Sequence, residues 1–150
     1  MTMTYTKRSE TTSVSNTPSD EAGHDQSGRK VWIDGQYVAS GQATVSVFDH
    51  GLLYGDGCFE GIRAYGGRIF KLRSHLERMY RSAEKLRLTP GYSIDEVDRA
   101  VRETVEINGL RDAYIRLVFT RGIGTLGLNP FKCPRAGTIC PVCGRGWSGC

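Results

Sequence analysis

Two segments of this chain change character at every second residue, and that alternation limits its fold more than any other feature. Residues 59–65 put Phe59, Gly61, Arg63 and Tyr65 on one side of an extended chain and Glu60, Ile62 and Ala64 on the other. Residues 113–120 divide likewise, with Ile115, Leu117 and Phe119 facing one way and Tyr114, Arg116, Val118 and Thr120 the other. A period of two marks strands, because successive side chains leave a pleated strand on opposite faces. Each strand thus offers an apolar face to a core. The opposite face, carrying Tyr114 and Arg116, either meets water or lines a pocket.

Turn dipeptides join such strands into hairpins. Asp34-Gly35 separates Val-Trp-Ile from Gln-Tyr-Val, and Gly66-Gly67 turns 59–65 into Arg68-Ile69-Phe70-Lys71. Residues 43–48 are predicted as a further strand, and the Gly-rich stretch 49–57 as a loop or short turn. Two helices are announced by capping boxes at Ser74/Glu77 and Ser93/Glu96, where a serine side chain and a glutamate three residues on satisfy free amides. Leu76, Met79, Tyr80, Ala83 and Leu86 form the apolar stripe of the first; Val97, Ala100, Val101 and Val105 form that of the second. Asn108-Gly109 ends the second by accepting a left-handed conformation. The order predicts an α+β fold, a mostly antiparallel sheet with two helices, and no internal repeat.

With 150 residues, 39% hydrophobic and 24% charged, the chain has the size of one ordinary soluble domain. Residues 1–30 are expected to be a disordered leader, being rich in Ser, Thr, Asp, Glu and Gly and too poor in apolar groups to offset the entropy of ordering. Residues 31–140 make the expected domain, and 141–150 a divergent Cys-rich tail. There is no apolar run for a membrane span or a secretory signal, and Glu10, Asp20, Glu21 and Asp25 are foreign to a mitochondrial presequence. A cytoplasmic protein with no membrane partner is expected. The net charge of +4 comes from a segment after Asp112 that holds Arg116, Arg121, Lys132, Arg135 and Arg145 and no acid. It forms no basic stripe, so no nucleic-acid partner is expected.

Gly122-Ile-Gly124-Thr-Leu-Gly127 matches a dinucleotide fingerprint, but Pro130 and Pro134 follow where a helix must start, and no acid lies downstream. It is read as a flexible loop. Four of the five cysteines, Cys133, Cys140, Cys143 and Cys150, crowd the last eighteen residues. Cys140-Pro-Val-Cys143 suits zinc, yet zinc sites usually pair two such short spacings, and here the outer cysteines are single. The cluster is read first as incidental, with no metal ligand assigned; the alternative is a non-enzymatic zinc-binding or interaction module.

The segment Asp49-His-Gly-Leu-Leu-Tyr-Gly-Asp-Gly-Cys-Phe-Glu-Gly-Ile-Arg-Ala-Tyr65 resembles the class IV, or fold type IV, pyridoxal-phosphate-dependent aminotransferases. So do Arg68-Ile-Phe-Lys-Leu-Arg-Ser-His-Leu-Glu-Arg-Met-Tyr-Arg-Ser-Ala83, Ala113-Tyr-Ile-Arg-Leu-Val118 and Gly127-Leu-Asn-Pro-Phe-Lys-Cys-Pro-Arg135, in order and over about 31–140. Their style points to the N-terminal part of branched-chain amino acid aminotransferases rather than D-amino-acid transaminases or aminodeoxychorismate lyases. The resemblance implies that Arg78 binds the phosphate of pyridoxal 5'-phosphate, as a fixed cation with several donors can. It implies substrate contacts from Phe59 and Tyr54, the latter across a homodimer interface, and from Tyr114 and Arg116 toward carboxylates, with Arg63 beside them. The 122–127 loop would sit over the substrate. The implied reaction moves an amino group from leucine, isoleucine or valine to 2-oxoglutarate, using a lysine that forms a Schiff base with the cofactor.

The lysines here are Lys7, Lys30, Lys71, Lys85 and Lys132, and none lies in that catalytic context. No catalytic residue is therefore assigned. After Cys140 the sequence departs from the family and reads like out-of-frame or replaced coding. The expectation is a chain of aminotransferase ancestry that does not transaminate alone.

Overall fold

The computed structural model describes residues 28–144; most of the expected leader, and tail residues 145–150, lie outside them. The elements are β1 (Lys30–Ile33), β2 (Gln36–Ala39), α1 (His50–Tyr54), β3 (Gly57–Tyr65), β4 (Arg68–Ile69), α2 (Leu72–Lys85), α3 (Ile94–Ile107), β5 (Ala113–Thr120), β6 (Gly137–Cys140) and β7 (Val142–Gly144). These seven strands join one sheet in the order β2-β1-β6-β5-β3-β4, with β7 also on β5, and every pairing is antiparallel. The fold is α+β as the sequence pattern predicts.

The alternation decides how the sheet is used. Ile62, Ala64, Ile115, Leu117 and Phe119 are all buried, on the face that α2 and α3 cover. Leu72, Leu76, Met79 and Ala83 of α2 and Val97, Ala100, Val101 and Val105 of α3 complete that core. Each large apolar side chain taken out of water there stabilises the fold by roughly 1.5–3 kcal/mol. Trp32 meets Tyr92 edge-on, and Tyr80 meets Phe119 in the same way, which is the favoured arrangement of ring quadrupoles.

Local expectations fare unevenly. The Ser93/Glu96 capping box is formed: the Ser93 hydroxyl accepts from Glu96 N, and Glu96 Oε2 accepts from Ser93 N at 2.7 Å. The Ser74/Glu77 box is not. Helix α2 starts earlier, at Leu72, behind Lys71 in a left-handed conformation. Burying Leu72 in the core fixes that start, so packing overrides the capping signal. Residues 43–48 are not a strand either. Among the described residues they lack a neighbouring strand, and the 122–124 segment is joined to this stretch only through the Asp49–Ile123 bridge and a bond from Gly124 N to the Phe48 carbonyl. Inside the expected 49–57 loop lies the single short helix α1, capped by Asp49.

Strands β6 and β7 share one register on β5, with Val118 opposite Ile139 and Ile115 opposite Val142. They are a continuous run interrupted at Pro141, which has no N–H for the ladder but whose carbonyl accepts from Arg116 N. Pairing thus continues past Cys140 to Gly144. Among the described residues no helix is long and apolar enough to cross a membrane.

Candidate functional site

The face of the sheet opposite the helices holds most of the residues singled out above. Phe59 and Arg63 of β3 and Tyr114 and Arg116 of β5 lie side by side, since Phe59 pairs with Val118, Gly61 with Arg116 and Arg63 with Tyr114. The Arg116 guanidinium sits over the Phe59 ring, 4.4 Å from its centroid, and 5.4 Å from that of Tyr114; Arg63 approaches Tyr114 at 5.5 Å. Cations over aromatic faces are attracted by the ring quadrupole, which holds these long side chains in place. Phe59 remains 62% exposed. The result is an apolar ring beside two guanidinium groups and a phenol, a surface suited to a molecule with an apolar end and a carboxylate.

Gly61 makes this arrangement possible, and sequence reasoning assigned it no role. A Cβ there would come within 2.6 Å of the Tyr114 hydroxyl and 3.3 Å of its ring, so the tyrosine lies across the glycine. The signal was present as a glycine inside a strand, which often marks close approach of another group.

Helix α1 and the 122–128 loop border the face at the Thr120 end. The Asp49 carboxylate is buried, accepting from Gly51 N at 2.7 Å and from the Thr120 hydroxyl at 2.8 Å. His50 is also buried; its Nε2–H donates to the Thr125 carbonyl at 2.7 Å, and its backbone N donates to Gly122 O. The Tyr54 hydroxyl donates to the Leu126 carbonyl. The loop read as flexible is therefore pinned to α1 at several points. Its first two glycines allow close packing: Gly122 has φ +89°, and a Cβ would collide with the Arg135 carbonyl, while a Cβ on Gly124 would meet Cys133 Sγ at 2.5 Å and, in α1, His50 Nε2 at 2.7 Å. No α-helix follows the loop among the described residues, in keeping with rejection of the dinucleotide reading.

Arg78 is elsewhere. It projects from α2 to Glu60, on the helix-covered face but next in sequence to Phe59. Arg78 Nε donates to Glu60 Oε1 at 2.6 Å, Nη2 donates to Oε2 at 2.7 Å, and His75 Nδ1 donates to Oε2 at 2.9 Å. Arg78 lowers the Glu60 carboxyl below its ordinary value; burial opposes this, and His75 reinforces it. Phe59, Arg63, Tyr114 and Arg116 are thus brought together, Arg78 lies around the sheet edge from them, and Tyr54 sits at the end with the loop. Of the described lysines, Lys30 is on the helix side beside Trp32, Lys71 and Lys85 belong to α2 and its cap, and Lys132 to a 3-10 turn.

A second ion pair, between the buried Arg121 and the half-buried Asp56, escaped sequence reasoning. Arg121 makes two bonds of 2.9 Å to Asp56 and donates to the Leu86 and Arg87 carbonyls at 2.8 Å, tying the start of β3 and the end of β5 to the end of α2. The described cysteines form no metal-binding group. Cys140 is opposite Trp32 on the core face and Cys143 opposite Tyr114 on the open face, and burial pushes the Cys140 thiol up to about 12, against the thiolate a metal needs. Among the described residues no group of three or more His, Cys, Asp and Glu could hold a metal ion.

The model of the amino-transferase class IV family matches residues 57–142. A protein of Methanocaldococcus jannaschii named as a branched-chain-amino-acid aminotransferase is 52% identical over 111 residues, which are 74% of this chain and 38% of that protein. The D-alanine aminotransferase of Staphylococcus haemolyticus is 39% identical over 94 residues, covering 63% of this chain and 33% of its own length. Among solved structures, the branched-chain aminotransferase of Thermoproteus uzoniensis with norvaline superposes with a TM-score of 0.71 at 38% identity, covering 77% of this chain and 40% of that one. The chain thus spans less than half the length of the proteins it matches.

Proposed function

The chain belongs to the class IV aminotransferases, and from that premise we propose that it carries the cofactor-phosphate arginine and one side of the substrate site of a branched-chain aminotransferase. The observation that carries this reading is the stack of Arg116 on Phe59 and Tyr114. Phe59 offers apolar area to a branched side chain, which is selected by burial, while Arg116, Arg63 and Tyr114 donate to the carboxylate of an amino or 2-oxo acid. The donor set at Arg78 fits the anionic end of pyridoxal 5'-phosphate, because the carboxylate pair engages its Nε side and the guanidinium remains largely exposed. When bound, that cofactor supplies the electron sink for amino transfer. Tyr54, with α1 and the adjoining loop, belongs to the contact with a second copy: Phe48, Leu52, Leu126, Leu128 and Phe131 expose apolar area around it.

Cytoplasmic location and a reaction from leucine, isoleucine or valine to 2-oxoglutarate are parts of the same reading. So is inactivity of the 150-residue chain alone, which rests on none of Lys7, Lys30, Lys71, Lys85 and Lys132 lying in the sequence context of the family's Schiff-base lysine. Titration with 4-methylvalerate, a branched carboxylate, tests the substrate side. Wild type should bind it, and both Phe59→Ala and Arg116→Ala should weaken binding about tenfold. Equal binding by all three proteins would refute the assignment. Incubation with leucine, 2-oxoglutarate and pyridoxal 5'-phosphate should yield no glutamate, and turnover would refute the inactivity.

A further inference from the structure

The Glu60 carboxylate stands where the alternation calls for an apolar residue. It is 7% exposed, on the strand face it shares with the buried Ile62 and Ala64. Removing a carboxylate from water is costly, and a buried ion pair seldom stabilises a fold more than well-packed apolar side chains would. Packing alone does not account for it. Its three bonds do something else: both oxygens are engaged, by Arg78 Nε and Nη2 and by His75 Nδ1, so the carboxylate has one orientation and imposes one on the guanidinium.

We propose that Glu60 is a positioning residue, which with His75 fixes the Arg78 guanidinium so that its outer edge meets a phosphate ester at the rim of the sheet. The inference rests on the reading of Arg78 as the phosphate arginine. The acid lies inside and the cation outside, with 9% and 60% of their side chains exposed. Among the described residues the rim carries no strand at this point, because β3 pairs with β4 only at Ala64 and Tyr65. Phe59 precedes Glu60 on the opposite face, so the phosphate would be fixed at a set distance from the Phe59, Tyr114 and Arg116 surface. A guanidinium held side-on by a carboxylate keeps donors directed outward, and less conformational freedom is lost when an anion arrives.

The alternative effect of Glu60 has the opposite sign, which makes the proposal testable. As a negative charge it lowers the Coulomb attraction of Arg78 for phosphate, so its neutralisation would strengthen binding if charge alone mattered. The 150-residue chain, labelled with 15N in its arginines, would be titrated with inorganic phosphate and with pyridoxal 5'-phosphate while the Arg78 Nε–H resonance is followed. In wild type that resonance should be protected from exchange and should shift with phosphate. In Glu60→Gln it should lose protection, and affinity should fall at least about fivefold despite the removed negative charge. Glu60→Asp, which keeps the charge but draws the carboxylate back, should also weaken binding, and it decides the matter if Glu60→Gln does not fold. Unchanged or tighter binding in a folded Glu60 variant, with binding lost in Arg78→Ala, would overturn the positioning role alone. Wild-type affinity in Arg78→Ala would overturn the phosphate reading itself.

Discussion

Strands β3 and β5 build two unlike surfaces from one set of residues. On the helix side, Ile62, Ile115, Leu117 and Phe119 are wholly buried among the side chains of α2 and α3. On the other side Phe59, Arg63, Tyr114 and Arg116 stack on one another, and the Phe59 ring stays open to solvent. The first surface turns apolar area into stability. The second holds large side chains in an array that leaves the Phe59 ring open, and on the proposed reading that array serves a ligand rather than stability.

The comparison can be broken by measuring what each surface contributes. The largest loss is expected from Arg121→Met, which leaves Asp56 and two carbonyls without a partner: about 3–5 kcal/mol in denaturant unfolding. A loss below about 1 kcal/mol would mean that Arg121 does not tie β3 and β5 to α2. Leu117→Ala, on the helix side, should cost about 2–5 kcal/mol through lost transfer energy and the cavity left behind. Glu60 lies on the helix side, and its contribution depends on pH. Its folded value is depressed, so its stabilisation is full above the unfolded carboxyl value of about 4.3 and is lost as pH falls through the folded value. Glu60→Gln should therefore flatten the acid limb of the stability profile, and an unaltered acid limb would contradict the pairing with Arg78. The smallest effect belongs to Phe59→Ala, within about 0.5 kcal/mol of wild type. A cost matching that of Leu117→Ala would erase the distinction between the faces.

Periodicity made the sheet legible because it is a local property. Residues 59–65 and 113–120 needed only their own pattern to be divided between faces, and the Ser93/Glu96 cap involves groups three residues apart. The failures are contacts between distant segments. Nothing near Ser74 tells that Leu72 is already in the core, and nothing near Val45 tells that a strand there would have no partner among the described residues. Among candidate site residues, the common face of Tyr114 and Arg116 follows from alternation, and joining it to Phe59 and Arg63 required the β3–β5 register. The sequence resemblance pointed to Arg78, but its partner Glu60, eighteen residues earlier, was noted only as a strand position. Gly61 illustrates the same limit, since its role is to leave room for a ring fifty-three residues away.

The order of strands carries a consequence for how the chain comes together in time. The run of 137–144 occupies the middle of the sheet, with β1 on one side and β5 on the other, although it is the last of the described strands in sequence. The N-terminal hairpin has no strand-to-strand link to the β3–β5 pair without it; until then α3 holds the hairpin, through Tyr37 to Glu103 and Asn108 to Lys30. As the polypeptide leaves the ribosome, two unpaired strand edges must wait for this insertion, a closure between positions more than a hundred residues apart. Such late, non-local zippering slows folding and leaves the waiting edges open to pairing with other chains.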